Sequence, residues 1–357
     1  MKELEIDRCR IVFSDTGFKA LDDYLKEIAP STSKTIILCD DITHELCLPR
    51  FTERLENLDP QYEIIEIPHG EENKNIETCT QIWEALSDIG ADRHSLIINL
   101  GGGVICDMGG YAASCYMRGI RFINVPTTLL SQVDASVGGK TGVDLGVLKN
   151  IVGLFTLPEM VLVSGVFLST LPESEILSGF AEMIKHGLIR SRSHWQELSS
   201  SSEFDIETLE RVIYDSVHIK YDVVLEDPRE KNIRKSLNFG HTIGHAIESF
   251  LMKTDRAISH GHAVAIGMVC ECYLSGDECG LSGDFIVAFK EYIRGLYPVV
   301  DIKEEDIEPI IEIMSHDKKN SSRGINFSLL KDIGDVSINH YIEPEKIKEA
   351  ILYYTRV

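Results

Sequence analysis

Four histidines fall within 22 residues, His241 and His245 in NFGHTIGHAIES and His260 and His262 in SHGHAVAIGM, and an acid, Glu182, stands in AEMIKHG. Imidazole nitrogens with one carboxylate oxygen are a donor set for a catalytic metal, because such a site leaves coordination positions open for substrate or water. His241 and His245 are four apart, so a helix would place them on one face. A lone histidine in an apolar stretch is ordinarily a satisfied core residue; four of them interleaved with glycine point to a metal instead. HTIGH lacks the glutamate of H-E-x-x-H, which disfavours a metalloprotease. Cys270 and Cys272 are the other close pair of soft donors, but no second pair stands at zinc-finger spacing.

Two further clusters suit anions. GGGVICDMGG, residues 101–110, follows the strand-like SLIINL and precedes a helix-compatible run. Glycine there lets backbone N–H groups and a helix N-terminus approach a pyrophosphate. The spacing is not G-x-G-x-x-G, and the competing reading is a tight structural turn. Asp107 within it suits a ribose or nicotinamide group rather than phosphate. Residues 126–150, PTTLLSQVDASVGGKTGVDLGVLKN, gather hydroxyls, Asp134, Gly138, Gly139, Lys140, Lys149 and Asn150 in what reads as a single irregular stretch. Two lysines on glycine-containing turns suit a phosphorylated ligand; the alternative is a solvated surface loop.

The elements that must carry these residues alternate in the first half. TIILCD (35–40), YEIIEI (62–67), the helical ETCTQIWEALSDIG (77–90), SLIINL (95–100) and FINVP (122–126) have the β/α rhythm of a parallel sheet. After about residue 170 long amphipathic stretches such as ESEILSGFAEMIKHGLI and IETLERVIYDSVHIKYDVVLED predict a mostly helical domain with few strands. The boundary falls near Leu171–Glu173, where Pro172 opens a helix, giving domains 1–171 and 172–357; the serine run 199–202 reads as a loop. At 357 residues two domains are expected, and 43% apolar residues supply both cores. A net charge of −22 opposes nucleic acid and anionic membranes as partners, and requires any anion site to gather some of the 35 Lys and Arg locally. Nine scattered cysteines argue against a disulfide framework. No apolar run reaches about 18 residues, and MKELEIDRCRIVF puts charges where a signal peptide needs an apolar stretch, so the expected address is cytoplasmic.

With these pieces in this order the chain resembles the 3-dehydroquinate synthases of the sugar-phosphate cyclase superfamily, from about Asp40 to Asn320. The stretches that carry the resemblance are GGGVICD, YMRGIRFINVPTTLLSQVDASVGGKT, LPESEILSGFAEMIKHGLI, LNFGHTIGHAIE, HGHAVAIGM and DKKN. The resemblance implies an N-terminal α/β NAD-binding domain with a parallel sheet, a mostly α-helical C-terminal metal-binding domain, and an active site in the cleft between them. It assigns a divalent metal, zinc with cobalt as a substitute, to Glu182, His241 and His260. It assigns NAD to Asp40, Glu71, Lys74, Gly102, Gly103, Val104, Asp107, Thr127, Thr128, Lys140, Lys149, Thr170 and Leu171. Substrate would meet Asp134, Lys140, Asn150, Lys185, Lys220, Arg234, Asn238, His245 and one or both of Lys318 and Lys319. Arg118 of YMRG would reach in from the other subunit of a homodimer.

The implied activity is a carbon–oxygen lyase of the shikimate pathway, in aromatic amino acid biosynthesis. It turns 3-deoxy-D-arabino-heptulosonate 7-phosphate into 3-dehydroquinate and phosphate with NAD in catalytic amount. The C5 carbinol is oxidised by hydride transfer, phosphate is eliminated with its own oxygen as base, the hydride returns, the ring opens, and an aldol addition closes the carbocycle. Six cations inside apolar motifs, Arg118, Lys140, Lys149, Lys185, Lys220 and Arg234, fit a substrate bearing both phosphate and carboxylate. Three positions depart from the family pattern: HGH replaces the more usual HGE at His262, Cys106 replaces a glycine, and Ala135 replaces a serine. The alternatives are a sibling cyclase acting on sedoheptulose 7-phosphate or glucose 6-phosphate, a metal-dependent alcohol or glycerol dehydrogenase, and a catalytically dead NAD- and phosphate-binding sensor. Arg234 and Lys220, suited to a carboxylate that the sibling substrates lack, favour dehydroquinate.

Overall fold

The computed structural model describes residues 3–146, 148–200, 206–315 and 324–356; Lys318 and Lys319 lie outside the described residues. The chain divides into two compact units, Met1–Pro172 with Phe204–Tyr221, and Glu173–Glu203 with Asp222–Val357.

The first unit runs β1 (Leu4–Ile6), β2 (Cys9–Phe13), α1 (Ser14–Ile28), β3 (Thr35–Asp40), α2 (Asp41–Leu46), α3 (Leu48–Thr52), β4 (Glu63–Ile67), α4 (Ile76–Asp88), β5 (Leu96–Gly101), α5 (Gly103–Cys115), β6 (Arg121–Pro126), the hairpin β7 (Lys140–Leu145) and β8 (Leu148–Phe155), and β9 (Met160–Val163). Its seven-stranded sheet has the order β1-β2-β9-β6-β5-β3-β4, parallel except for β1. Central strands such as TIIL and LIIN are apolar almost without interruption because helices cover both faces. Ile37, Ile98 and Ile123 pack on one face with Phe18, Phe51 and Phe167, and Ile36, Ile97 and Phe122 on the other with Ile82, Leu86 and Met108. Two amides interrupt this core, Asn99 and Asn124, which are register partners; Asn99 Nδ2 donates to Asn124 Oδ1 at 2.8 Å, while Asn99 Oδ1 is buried without a hydrogen-bond partner among the described residues. Reading along the chain, β3 leads outward to β4 while β5 leads the other way to β6. The topological switch therefore lies at the carboxyl ends of β3 and β5, the place where open α/β sheets bind ligands.

The second unit holds α6 (Glu173–Arg190), α7 (Arg192–Ser200), the end of α8 (Ile206–Glu226), α9 (His241–Leu251), α10 (His260–Cys279), α11 (Gly283–Leu296), α12 (Glu304–Ser315), the hairpin β10 (Ile325–Asp332) with β11 (Asp335–Ile342), and α13 (Pro344–Thr355). Helix α10 is buried almost without a break from Gly261 to Ser275, which makes it the axis of the unit. Its neighbours approach backbone to backbone. A Cβ at Gly267 would lie 1.9 Å from the Gly240 carbonyl oxygen, one at Gly261 2.0 Å from that of Ser178, and one at Gly244 2.9 Å from that of Ala263.

Three sequence expectations change. The segment assigned wholly to the C-terminal domain is split, since α8 up to Tyr221 belongs to the first unit, where Tyr214 meets Phe13 at 4.9 Å and the Tyr221 hydroxyl donates to the Glu5 carbonyl at 3.1 Å. Residues 126–150 are not one irregular stretch: a π-helical turn (Ser131–Ala135) leads into β7 and β8, and Lys140 and Lys149 stand on strands rather than turns. Paired Gly142 and Gly153 hide the strand alternation there. Of the serine run 199–202, Ser199 and Ser200 end α7 rather than forming a loop, because Leu198 and Trp195 anchor that helix in the core, and Ser201 and Ser202 lie outside the described residues. The second unit also contains β10 and β11, turned by Gly334 at φ 87°. Among the described residues no helix is long and apolar enough to cross a membrane.

The glycine contacts predict opposite outcomes for one substitution type. Gly267→Ala should lower the unfolding free energy by about 3 kcal/mol or more, the upper range of overpacking. Gly295→Ala, in α11 with nothing within 4 Å of the new methyl, should raise it by about 0.4–1 kcal/mol. Denaturant titration of the two variants checks the pair; equal effects would show that the α9–α10 contact is slack.

Candidate active site

Three helices deliver the metal-type donors of the second unit. Glu182 lies midway along α6 and is fully buried, while His241 and His260 are the first residues of α9 and α10. The Oε1 of Glu182 is 3.3 Å from His241 Nε2 and 3.8 Å from His260 Nε2. Ligands held about 2.0–2.1 Å from a tetrahedral zinc are roughly 3.3 Å apart, so the Glu182–His241 separation suits a shared ion, and the Glu182–His260 separation is somewhat wider. Both rings turn Nε2 inward because Nδ1 is engaged outward: that of His241 is 3.2 Å from the Phe239 carbonyl, and that of His260 is 3.0 Å from Glu248 Oε2. Burial, and next the charge of Lys185, push the His241 imidazole below its ordinary pKa against the pull of Glu182, favouring the neutral ring that ligation needs.

His245, one turn along α9, faces the same cluster, with ring centroids 5.0 Å from His241 and 5.4 Å from His260. The three imidazoles of His241, His245 and His260 offer ligand atoms within 4.8 Å of one another, so His245 is a rival donor for a metal at this cluster. His262 does not join either group: it packs on Tyr297 at 5.2 Å, and burial lowers its pKa. Cys270 and Cys272 are buried free thiols, pushed up by burial.

Around this cluster Lys185 and Glu182 form a buried pair one turn apart on α6. Arg234 is buried, its Nη1 donating to the Pro228 carbonyl at 2.8 Å, and Asn238 Nδ2 donates to Glu230 Oε1 at 2.9 Å. Glu230, the acceptor of that bond, is held at φ 55° and was not singled out from the sequence. Glu248 and Glu271 were missed too. Glu271, buried inside α10, accepts from the backbone N–H groups of Gly240 and Ile243 at 2.6 and 3.3 Å and so sets the start of α9. The available signal was a pair of acids in runs otherwise apolar, HAIES and VCECY.

The NAD-type residues gather in the first unit at the carboxyl ends of parallel strands. Asp40 ends β3 and caps α2 through a 2.7 Å bond from Thr43 N–H. Gly102 is the N-cap of α5, and no side chain caps that helix, so its first N–H groups face outward from the sheet edge beside Thr128; a Cβ at Gly102 would come 3.1 Å from the Thr128 methyl. Thr127 is buried after β6, while Thr170 and Leu171 end the 3-10 turn that follows β9. Asp107 meets Lys74 rather than standing alone, Nζ to Oδ2 at 2.7 Å. Burial lowers the Lys74 pKa, but Asp107, Glu71 and Asp144 outweigh it and hold the ammonium charged. Lys149 reaches Glu71 at 3.5 Å, and Asn150, at φ 53°, donates its N–H to Asp144 at 2.6 Å. Lys220 of α8 donates to Asp134 Oδ1 at 2.8 Å. Lys140 and Arg118 are exposed, Arg118 in the left-handed region at φ 67°.

Residues 64–178 match the family described as 3-dehydroquinate synthase N-terminal, and residues 179–320 its C-terminal counterpart. A 3-dehydroquinate synthase of Parabacteroides distasonis is 44% identical over 362 residues, 99% of this chain and 98% of its own. One of Thermoanaerobacter pseudethanolicus is 39% identical over 344 residues, 95% of each. A crystal structure of 2-deoxy-scyllo-inosose synthase, complexed with carbaglucose-6-phosphate, NAD+ and Co2+, matches with a TM-score of 0.86 over 98% of both chains at 27% identity. On the two adjoining family matches and these near full-length identities, the chain belongs to the 3-dehydroquinate synthase family.

Proposed function

We propose that the chain converts 3-deoxy-D-arabino-heptulosonate 7-phosphate to 3-dehydroquinate and inorganic phosphate, with NAD in catalytic amount and one divalent metal, zinc or cobalt. The observation that carries the chemistry is the convergence of Glu182 Oε1 on the Nε2 atoms of His241 and His260. The 2-deoxy-scyllo-inosose synthase complexed with NAD+ and Co2+ supports both cofactors, and the lower identity to that cyclase favours the heptulosonate phosphate over its substrate class.

An ion held by Glu182, His241 and His260 would polarise the carbinol oxygen to be oxidised. NAD would supply a hydride acceptor that is restored in each turnover. The chain's own groups do the rest. The N–H groups of Gly103 and Val104, at the uncapped start of α5, take the pyrophosphate. Asp40 stands at the switch point where a ribose would lie; Thr127, Thr128, Thr170, Leu171, Glu71 and Lys149 line the same strand ends. Lys140, Asn150, Lys185 and His245 take substrate oxygens, and Arg234 with Lys220 takes the carboxylate. Asp134 orients the Lys220 ammonium, and Glu230 orients the Asn238 amide. Each preorganised cation would stabilise developing charge by about 2–4 kcal/mol.

The exposed position of Arg118 fits a homodimer in which it enters the partner's phosphate site. Exposed Leu145, Leu148, Ile151, Leu154 and Phe155 on the β7–β8 hairpin give a second copy an apolar surface to cover. Nine free thiols fit a reducing compartment, the cytoplasm.

Chelator treatment should abolish turnover and zinc or cobalt restore it. His241→Ala should lose metal and activity together, while His262→Ala keeps both; metal content with phosphate release checks this, and loss of metal from His262→Ala alone would overturn the ligand set.

During many turnovers, absorbance of reduced nicotinamide should stay at or below enzyme concentration. Stoichiometric NADH would mean a dehydrogenase.

Arg118→Ala and Lys220→Ala proteins, each nearly inactive, should regain about a quarter of wild-type sites when refolded as an equal mixture, because one site of each mixed dimer carries neither defect. No recovery with mixed dimers present would place Arg118 in its own chain's site.

A further inference from the structure

Glu248 is 5% exposed, and nothing in the proposed reaction uses it. It lies on α9 seven positions, two helical turns, beyond His241, so it shares the inward face of that helix. Its Oε2 stands 3.0 Å from His260 Nδ1, across the α9–α10 seam that Gly244 holds closed. The opposite ring nitrogen, Nε2, is the one turned toward Glu182. The two carboxylates therefore grip His260 from opposite sides, one inside the donor cluster and one behind it. His241 is backed differently, by the neutral carbonyl of Phe239.

We propose that Glu248 is a positioning residue for the metal: it accepts the Nδ1–H of His260, fixes the tautomer whose Nε2 carries the lone pair, orients the ring, and by its charge raises the basicity of that nitrogen. A carboxylate behind a ligating histidine commonly sustains 10–100-fold in metal affinity. The contact cannot be read as ordinary surface pairing, because both partners are ordered on packed helices and the acid is buried, where an ionised carboxyl is costly without such a donor. His260 is thereby the ligand supported by charge, and His241 the one supported by the backbone.

This inference rests on the reading of Glu182, His241 and His260 as a metal site, and the experiment separates the two. Zinc affinity is measured by competition with a chromophoric chelator, and the visible spectrum of the cobalt-loaded protein is recorded, for the parent, Glu248→Ala, Glu248→Gln, Asp306→Asn and Glu182→Ala. Asp306, ion-paired to Arg256 in the same unit, serves as the control for loss of a buried acid without a role at the site. Glu248→Ala should bind zinc 10–100-fold more weakly with an altered cobalt spectrum. Glu248→Gln, which keeps an acceptor but not the charge, should lose about 10-fold. Asp306→Asn should bind as the parent does. If Glu248→Ala fails to fold, Glu248→Gln decides. Zinc affinity within two-fold of the parent in either folded Glu248 variant, or an equal loss in Asp306→Asn, overturns the proposal. Parental affinity in Glu182→Ala would instead overturn Glu182, His241 and His260 as the ligand set.

Discussion

The second unit depends on one contact, the backbone-to-backbone meeting of α9 and α10. With the Gly240 carbonyl against the Gly267 Cα, there is no space for any side chain, not even a methyl. The same device ties the start of α10 to α6, where Gly261 abuts the Ser178 carbonyl one turn before Glu182. Side chains thus do not set the spacing of the three helices; the backbones do. Donor positions set in this way vary little, which is what a site requiring ligand placement within about 0.5 Å demands. Both histidines stand at helix N-termini, where the positive end of the helix dipole disfavours a protonated ring.

In the first unit the constraint is topological. Parallel strands share a direction, so every residue that follows a strand emerges on one edge. Asp40, Gly102, Thr127 and Thr170 are up to 130 positions apart in the chain yet follow β3, β5, β6 and β9 on that edge. Loops there are free to vary chemistry because the core beneath them is built from apolar strands, bridged by one internal amide bond.

Much of this was legible in the residues. Short apolar runs such as TIILCD and SLIINL have no period but are bounded by turn signals, and they became β3 and β5. The four-residue spacing of His241 and His245 needed only a helix to share a face. What the sequence hid is what depends on long-range contact. The hairpin β7–β8 carries glycines where strand alternation would otherwise show, and the assignment of α8 depends on Phe13 and Glu5, some 200 residues away. Glu248 and Glu271 are ordinary helix formers whose meaning appears only when α9 and α10 meet.

The charges follow a second rule. In a protein of net charge −22, three buried lysines face an acid, Lys74 with Asp107, Lys185 with Glu182 and Lys220 with Asp134, whereas Lys290 is held by the Tyr353 and Arg356 carbonyls. A buried ammonium costs several kcal/mol if left alone, so these partners let the cations exist where water is scarce. The partners are themselves shared. Glu182 answers Lys185 and lies within ion-pair distance of His241 and His260, while Asp107, strained by its own burial, answers Lys74 and lies within the field of Lys220. Whatever draws electron density from Glu182 leaves Lys185 less compensated and better able to hold an anion. In the second unit Lys185 and the donor cluster are therefore one electrostatic system, and a substitution at Glu182 acts on both at once.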